Sequence, residues 1–125
     1  MNAKIKRVLA ASLCLVFVLI LANCTVTTND QYFWGSYENL LYDMYIKPGS
    51  VPPPLQIDKL EVDISKATNK GKAIPPGVFA HLGMMYAANG DIANATRAFN
   101  KEKTLYPESQ VLIDGMLERA SRNVK

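Results

Sequence analysis

The chain has 125 residues, with 14 Lys and Arg against 11 Asp and Glu, a single His and two Cys. Once a targeting segment is set aside this leaves one small domain, near the lower size at which a helical core sustains itself. The positive surplus sits at the start: Lys4, Lys6 and Arg7 precede the apolar run Val8 to Ala22, and no acidic residue precedes Asp30. From Cys24 onward the charges balance, so there is no basic footprint for nucleic acid. Both cysteines, Cys14 and Cys24, lie in the first 24 residues, which excludes a disulfide framework in the folded part. One histidine leaves no partner for most histidine-based metal or triad chemistry.

Residues 1–23 read as a lipoprotein signal peptide. A basic n-region is followed by the fifteen-residue run VLAASLCLVFVLILA, which is long enough for a secretory h-region. It is shorter than the roughly 20 residues a relaxed transmembrane helix needs. The run stops at Leu21-Ala22-Asn23-Cys24, which resembles the lipobox of bacterial lipoproteins. That resemblance implies cleavage before Cys24, a diacylglyceryl group on its thiol and an N-acyl chain on its amine; no other cofactor is expected. Asn23 departs from the Gly, Ala or Ser usual before the cysteine, so the alternative is an uncleaved inner-membrane signal anchor with Cys24 as a free thiol. Cys14, within the h-region, reads as a small hydrophobe. By the same resemblance to lipoproteins, Thr25, where Asp would retain the protein in the inner membrane, implies sorting to the periplasmic face of the outer membrane. Residues 24–31 then form a polar tether that reaches roughly 25 Å.

Residues 32–125 are expected to form an all-α domain, because no segment alternates convincingly with period two. A first helix is predicted over about 36–46, with Ser36 as N-cap and Leu40, Leu41, Met44 and Tyr45 on one stripe. Pro48 and Gly49 stop it, and Ser50 to Pro54 is predicted to be a stiff, non-helical connector. The helical period resumes at Leu55, with Ile57, Leu60, Ile64 and Ala67 marking a second helix to about Asn69. Asp58, Glu61 and Asp63 read as its solvated face, together with Lys59 and Lys66, rather than as a metal cluster. After a polar break from Lys70 to Pro76, helices are predicted over about 77–89, 92–105 and 109–122.

The window 76–109 carries the densest pattern. Phe79, Leu82, Gly83 and Tyr86 are followed by Gly90-Asp91 at a bend, then Ala95, Phe99, Glu102 and Pro107. This spacing resembles a tetratricopeptide repeat, with Phe79 in the place of the usual Trp. Gly83 and Ala95 are small where two antiparallel helices cross, Leu82, Tyr86 and Phe99 fill the crossing, and Pro107 ends the second helix. One such hairpin leaves faces that neighbours must cover. Residues 110–123 are expected to cap one face through Leu112, Ile113, Met116, Leu117 and Ala120, and the two earlier helices to cover the other as a degenerate repeat.

The lipobox, the aromatic opening YFWGSYENLLYDMY, the proline-rich turn and the late repeat together resemble a family of small proteobacterial lipoproteins, over nearly the full length. Its members are encoded beside a lipoprotein similar to the curli-secretion pore protein and a second small lipoprotein. The resemblance implies partners but no activity.

By the repeat's geometry the inner row is Gly77, Ala80, His81, Met84, Ala87 and Ala88. It lacks the Lys, Asn and Arg set that clamps a peptide carboxylate. Two readings follow: a shallow groove for a partner helix or extended segment, with Met84 adaptable and His81 as polar contact, or a surface filled by the protein's own N-terminal helices. No catalytic or metal role is assigned to His81. Tyr32, Phe33, Trp34 and Tyr37 read either as a membrane-interface or partner-docking cluster or as a lid that packs Phe33 or Trp34 into the core. The expected function is a non-enzymatic, lipid-anchored periplasmic adaptor that binds other lipoproteins. The alternatives are a small periplasmic ligand-binding protein or enzyme, and a signal-anchored inner-membrane subunit.

Overall fold

In the computed structural model, residues 31–122 are described, together with positions 3–5, 7 and 12 of the leader. Over residues 31–122 the protein is all-α: α1 (Tyr37–Ile46), α2 (Pro53–Asn69), α3 (Val78–Ala88), α4 (Ile92–Leu105), a 3-10 turn (Pro107–Ser109) and α5 (Gln110–Arg122). Among the described residues the extended pairing is an isolated parallel bridge between Tyr32 and Ala73. None of the described helices is long and apolar enough to cross a membrane.

The order of the helices follows from where each can start and stop. Ser36 precedes α1, but its hydroxyl does not cap that helix; it donates instead to Asp63 Oδ2 at 2.7 Å, and so does its backbone N–H. Along α1, Leu40 is buried and Leu41 and Met44 are half-buried, whereas Tyr45 is 81% exposed. Tyr45 fits the period, but it lies in the last turn of α1 and faces solvent.

The connector is shorter than the prolines suggest. It ends at Pro52, and Pro53 and Pro54 occupy the first turn of α2. Proline is harmless there, since the first-turn N–H groups have no intrahelical acceptor and its fixed φ suits the helix. Within the connector Val51 is buried, joining Leu40, Leu60, Val78, Leu82 and Ala98 in one core cluster.

Helices α3 and α4 form an antiparallel hairpin. Gly90 makes the bend at φ +82°, and Asp91 caps α4 by accepting the N–H of Asn94 at 2.9 Å. At the crossing a Cβ on Gly83 would lie 2.6 Å from Cδ1 of Phe99, so the ring packs directly on helix backbone. Ala80, Ala95, Phe99, Ile113 and Ala120 form a second core cluster that joins this hairpin to α5. On α5, Ile113 and Ala120 are buried and Met116 and Leu117 half-buried, as the stripe requires. Leu112 is exposed, because it sits about 100° round the helix from Ile113 and off the seam.

Candidate functional site

The small-residue row on α3 divides into two parts. Its first half is filled by the protein itself. The N–H of Gly77, a residue at φ +91°, donates to Glu102 Oε1 at 2.6 Å, and Ala80 is buried in the α3–α4–α5 cluster. His81 is buried as well: its Nε2 lies 2.8 Å from Gln56 Oε1 on α2, and Tyr37 meets its ring edge-on with centroids 5.7 Å apart. Gln56 turns its Nε2 to Val51 O at 2.5 Å, so its Oε1 is left as acceptor and His81 Nε2 carries the proton. Burial pushes the His81 pKa below its usual value.

The second half of the row is open. Met84, Ala87 and Ala88 line a groove of about 270 Å³ whose other walls are Phe99 on α4 and Met116 and Ala120 on α5, with Arg119 also lining it. Met84 is 40% exposed and Ala88 is exposed, so this end of α3 presents apolar surface to solvent. The row is thus divided between the open and the self-filled arrangement. Gly77, Ala80 and His81 serve the fold, while Met84, Ala87 and Ala88 remain accessible.

Three of the four aromatics, Tyr32, Trp34 and Tyr37, form a chain of ring contacts that leads inward from the surface to His81. Tyr32 meets Trp34 edge-on at 6.5 Å, Trp34 meets Tyr37 at 6.2 Å, and Tyr37 meets His81. Lys70 Nζ stands 4.6 Å over the Phe33 ring. The bridge strand is held by Phe33 N–H donating to Ala73 O at 2.9 Å and Ala73 N–H donating to Gln31 O at 3.3 Å. The segment thus lies down on α2 and on the loop before α3. Tyr37, itself half-buried, is the one that packs against the first core cluster, whereas Trp34 remains 43% exposed and the half-buried Phe33 lies outside that cluster. Burial raises the Tyr37 pKa, and the Glu102 carboxylate adds to the shift.

Two buried carboxylates were not legible as functional positions. Glu102 is only 2% exposed, accepting the N–H groups of Gly77 and, at 3.3 Å, Ala80, so that it caps the N-terminus of α3 from α4. Asp63 caps the segment entering α1 through Ser36 in the same way. The reading of Asp63 as part of a solvated face is corrected: it lies on the buried stripe Gln56, Leu60, Asp63, Ala67. Asp58 and Glu61 are exposed, and Glu61 accepts the hydroxyl of Tyr86, which together with burial pushes the tyrosine up to about 12. Among the described residues no group of three or more His, Cys, Asp or Glu side chains is placed to hold a metal. Cys24, the lipobox and residues 24–30 of the tether lie outside the described residues.

A domain of unknown function, DUF4810, matches residues 31–116, and the chain belongs to that family. The match spans α1 to α4 and the first half of α5, and it contains the whole of the first core cluster and every buried member of the second except Ala120. No curated protein shows significant similarity to the chain. No solved structure does either.

Proposed function

We propose that this protein is a lipid-anchored adaptor of the outer membrane's periplasmic face. In this reading the leader is removed at Leu21-Ala22-Asn23-Cys24, Cys24 carries the acyl chains, and the domain is a tetratricopeptide-like hairpin with helical neighbours on each side. The reading draws support from Gly83, Ala95 and Phe99 meeting at one crossing, and above all from the open groove of Met84, Ala87 and Ala88. Its walls are apolar and adaptable, with two methionines and one guanidinium, which suits an apolar helix or extended segment of a protein partner. A tether raises the effective concentration of anything fixed to the same membrane, so weak contacts suffice. The partners proposed are neighbouring lipoproteins, including the one similar to the curli-secretion pore.

Photocrosslinking in intact cells tests this reading, with probes at Met84 and at Trp34. The expected result is capture of a co-anchored lipoprotein at Met84, with the intact mass showing a mature N-terminus at acylated Cys24 and Cys24→Ala accumulating as precursor. Recovery of an unacylated chain that begins at Met1 would overturn the anchor, and failure of both probes to capture any protein would overturn the adaptor.

A further inference from the structure

A second and larger groove, of about 550 Å³, opens where the N-terminal segment joins the domain. Its apolar lining comes from Ile64 on α2, Ile74 in the loop, Phe79 on α3 and Leu105 on α4, and Leu105 is 41% exposed. Lys72 and Lys101 also line it and are exposed, and among the described residues no carboxylate does. Glu61, on the same side of α2, lines the adjoining groove and is engaged by the Tyr86 hydroxyl.

A hydrocarbon lining with cations and no anion is the chemistry of an anionic amphiphile. An added peptide strand is a poorer fit, because the groove offers little free backbone. Ala73 already exchanges its N–H and C=O with Gln31 and Phe33, and Ile74 O already accepts the hydroxyl of Tyr106. The chain itself supplies the second argument. Gln31 lines the groove, and the run from Cys24 to Gln31 spans at most roughly 25 Å, so acylation of Cys24 would hold the groove within that distance of a bilayer.

We infer that this groove binds an anionic phospholipid of the membrane, with an acyl chain along Ile64, Ile74, Phe79 and Leu105 and the phosphate at Lys72 and Lys101. The inference deepens the anchored reading above and rests on it for the groove's closeness to lipid. The test uses the full chain purified from its membrane and reconstituted in phosphatidylethanolamine vesicles with a minor fraction of phosphatidylglycerol. A photoreactive residue is placed at Leu105, with a control at Val111, which is 87% exposed on α5.

Irradiation is expected to yield a phosphatidylglycerol adduct at Leu105, enriched over its share of the vesicle, and no enrichment at Val111. Lys72→Gln with Lys101→Gln, both at exposed positions, should lower the preference for phosphatidylglycerol over phosphatidylethanolamine by about 25-fold, roughly a factor of five for each lysine. Adducts that merely follow bulk lipid composition and ignore the lysines would overturn the inference, as would crosslinks to the chain's own residues 24–30 or to another protein. The same intact-mass spectrum reports whether Cys24 is acylated. Failure of the anchor is thereby separated from failure of the groove, and an unacylated chain that still yields the lysine-dependent adduct would uphold the groove alone.

Discussion

The contact between Gly83 and Phe99 predicts a substitution whose effect changes sign with its background. In a free helix interior, Gly83→Ala should stabilise by about 1 kcal/mol, because alanine loses less backbone entropy on ordering than glycine. Here the new Cβ would stand 2.6 Å from Cδ1 and 2.7 Å from Cε1 of Phe99, a ring that is itself only 1% exposed. Overpacking of this kind costs about 1 to 3 kcal/mol, so G83A should be neutral to destabilising by about 2 kcal/mol. Phe99→Ala alone should cost about 3 to 5 kcal/mol through the cavity it leaves. In that background the clash is gone, the propensity gain returns, and G83A should stabilise by about 1 kcal/mol. Urea unfolding followed by circular dichroism measures all four corners of the cycle, with an osmolyte added if F99A is marginal. Equal stabilisation by G83A in both backgrounds would refute the close crossing.

Other expectations concern the polar pins and the histidine. Glu102→Ala leaves the N–H groups of Gly77 and Ala80 without their acceptor, and the loss should be about 2 to 4 kcal/mol; Glu102→Gln, which keeps one carbonyl oxygen, should lose less. Gly35→Ala combines φ +53° with a Cβ 2.5 Å from the Asp63 carboxylate carbon, and thermal melting should show a loss of about 1 to 3 kcal/mol. His81 has its pKa lowered by burial, so between the folded and unfolded pKa values the unfolded chain binds more protons. Stability should therefore be full above the unfolded value of about 6.5 and fall as pH drops below it, until the folded pKa is reached. Because the chain has one histidine, this slope should vanish in His81→Gln; an unchanged slope would place the titration elsewhere.

The apolar half of the core could be read directly from spacing. Ile57, Leu60, Ile64 and Ala67 all face inward to some degree, and Gly83, Ala95 and Phe99 meet at one crossing, because helix period and residue size alone determine such contacts. The polar half was hidden by the same logic. Gln56 and Asp63 lie on the buried stripe of α2, yet a polar residue reads as solvated unless its partner is known, and theirs are His81 and Ser36, each more than twenty residues away. That hidden pairing also explains the divided row on α3: His81 is covered because Gln56 reaches it, whereas Met84 lies a turn further along. The start of α2 lies earlier than the prolines predict for a local reason, since proline disfavours a helix interior but not its first turn.

The two carboxylates give the molecule a direction. Asp63 ties the entry of α1 to α2, and Glu102 ties the entry of α3 to α4, each at the end of its hairpin away from the bend. Neither makes an ion pair among the described residues; the oriented N–H groups they accept, and for Glu102 the positive end of the α3 dipole, take that place. The second hairpin is therefore pinned at the end that carries Lys72, Ile74 and Phe79 and left open at the end that carries Met84, Ala87 and Ala88. At 1.5 Å per residue, Phe79 and Ala88 stand roughly 13 Å apart along α3. An occupant of one groove thus need not displace an occupant of the other. A lipid held at the pinned end would fix the orientation of the domain on its tether and leave the open end free for a protein partner. On the adaptor reading, that separation is what lets one small domain hold a membrane and a protein at the same time.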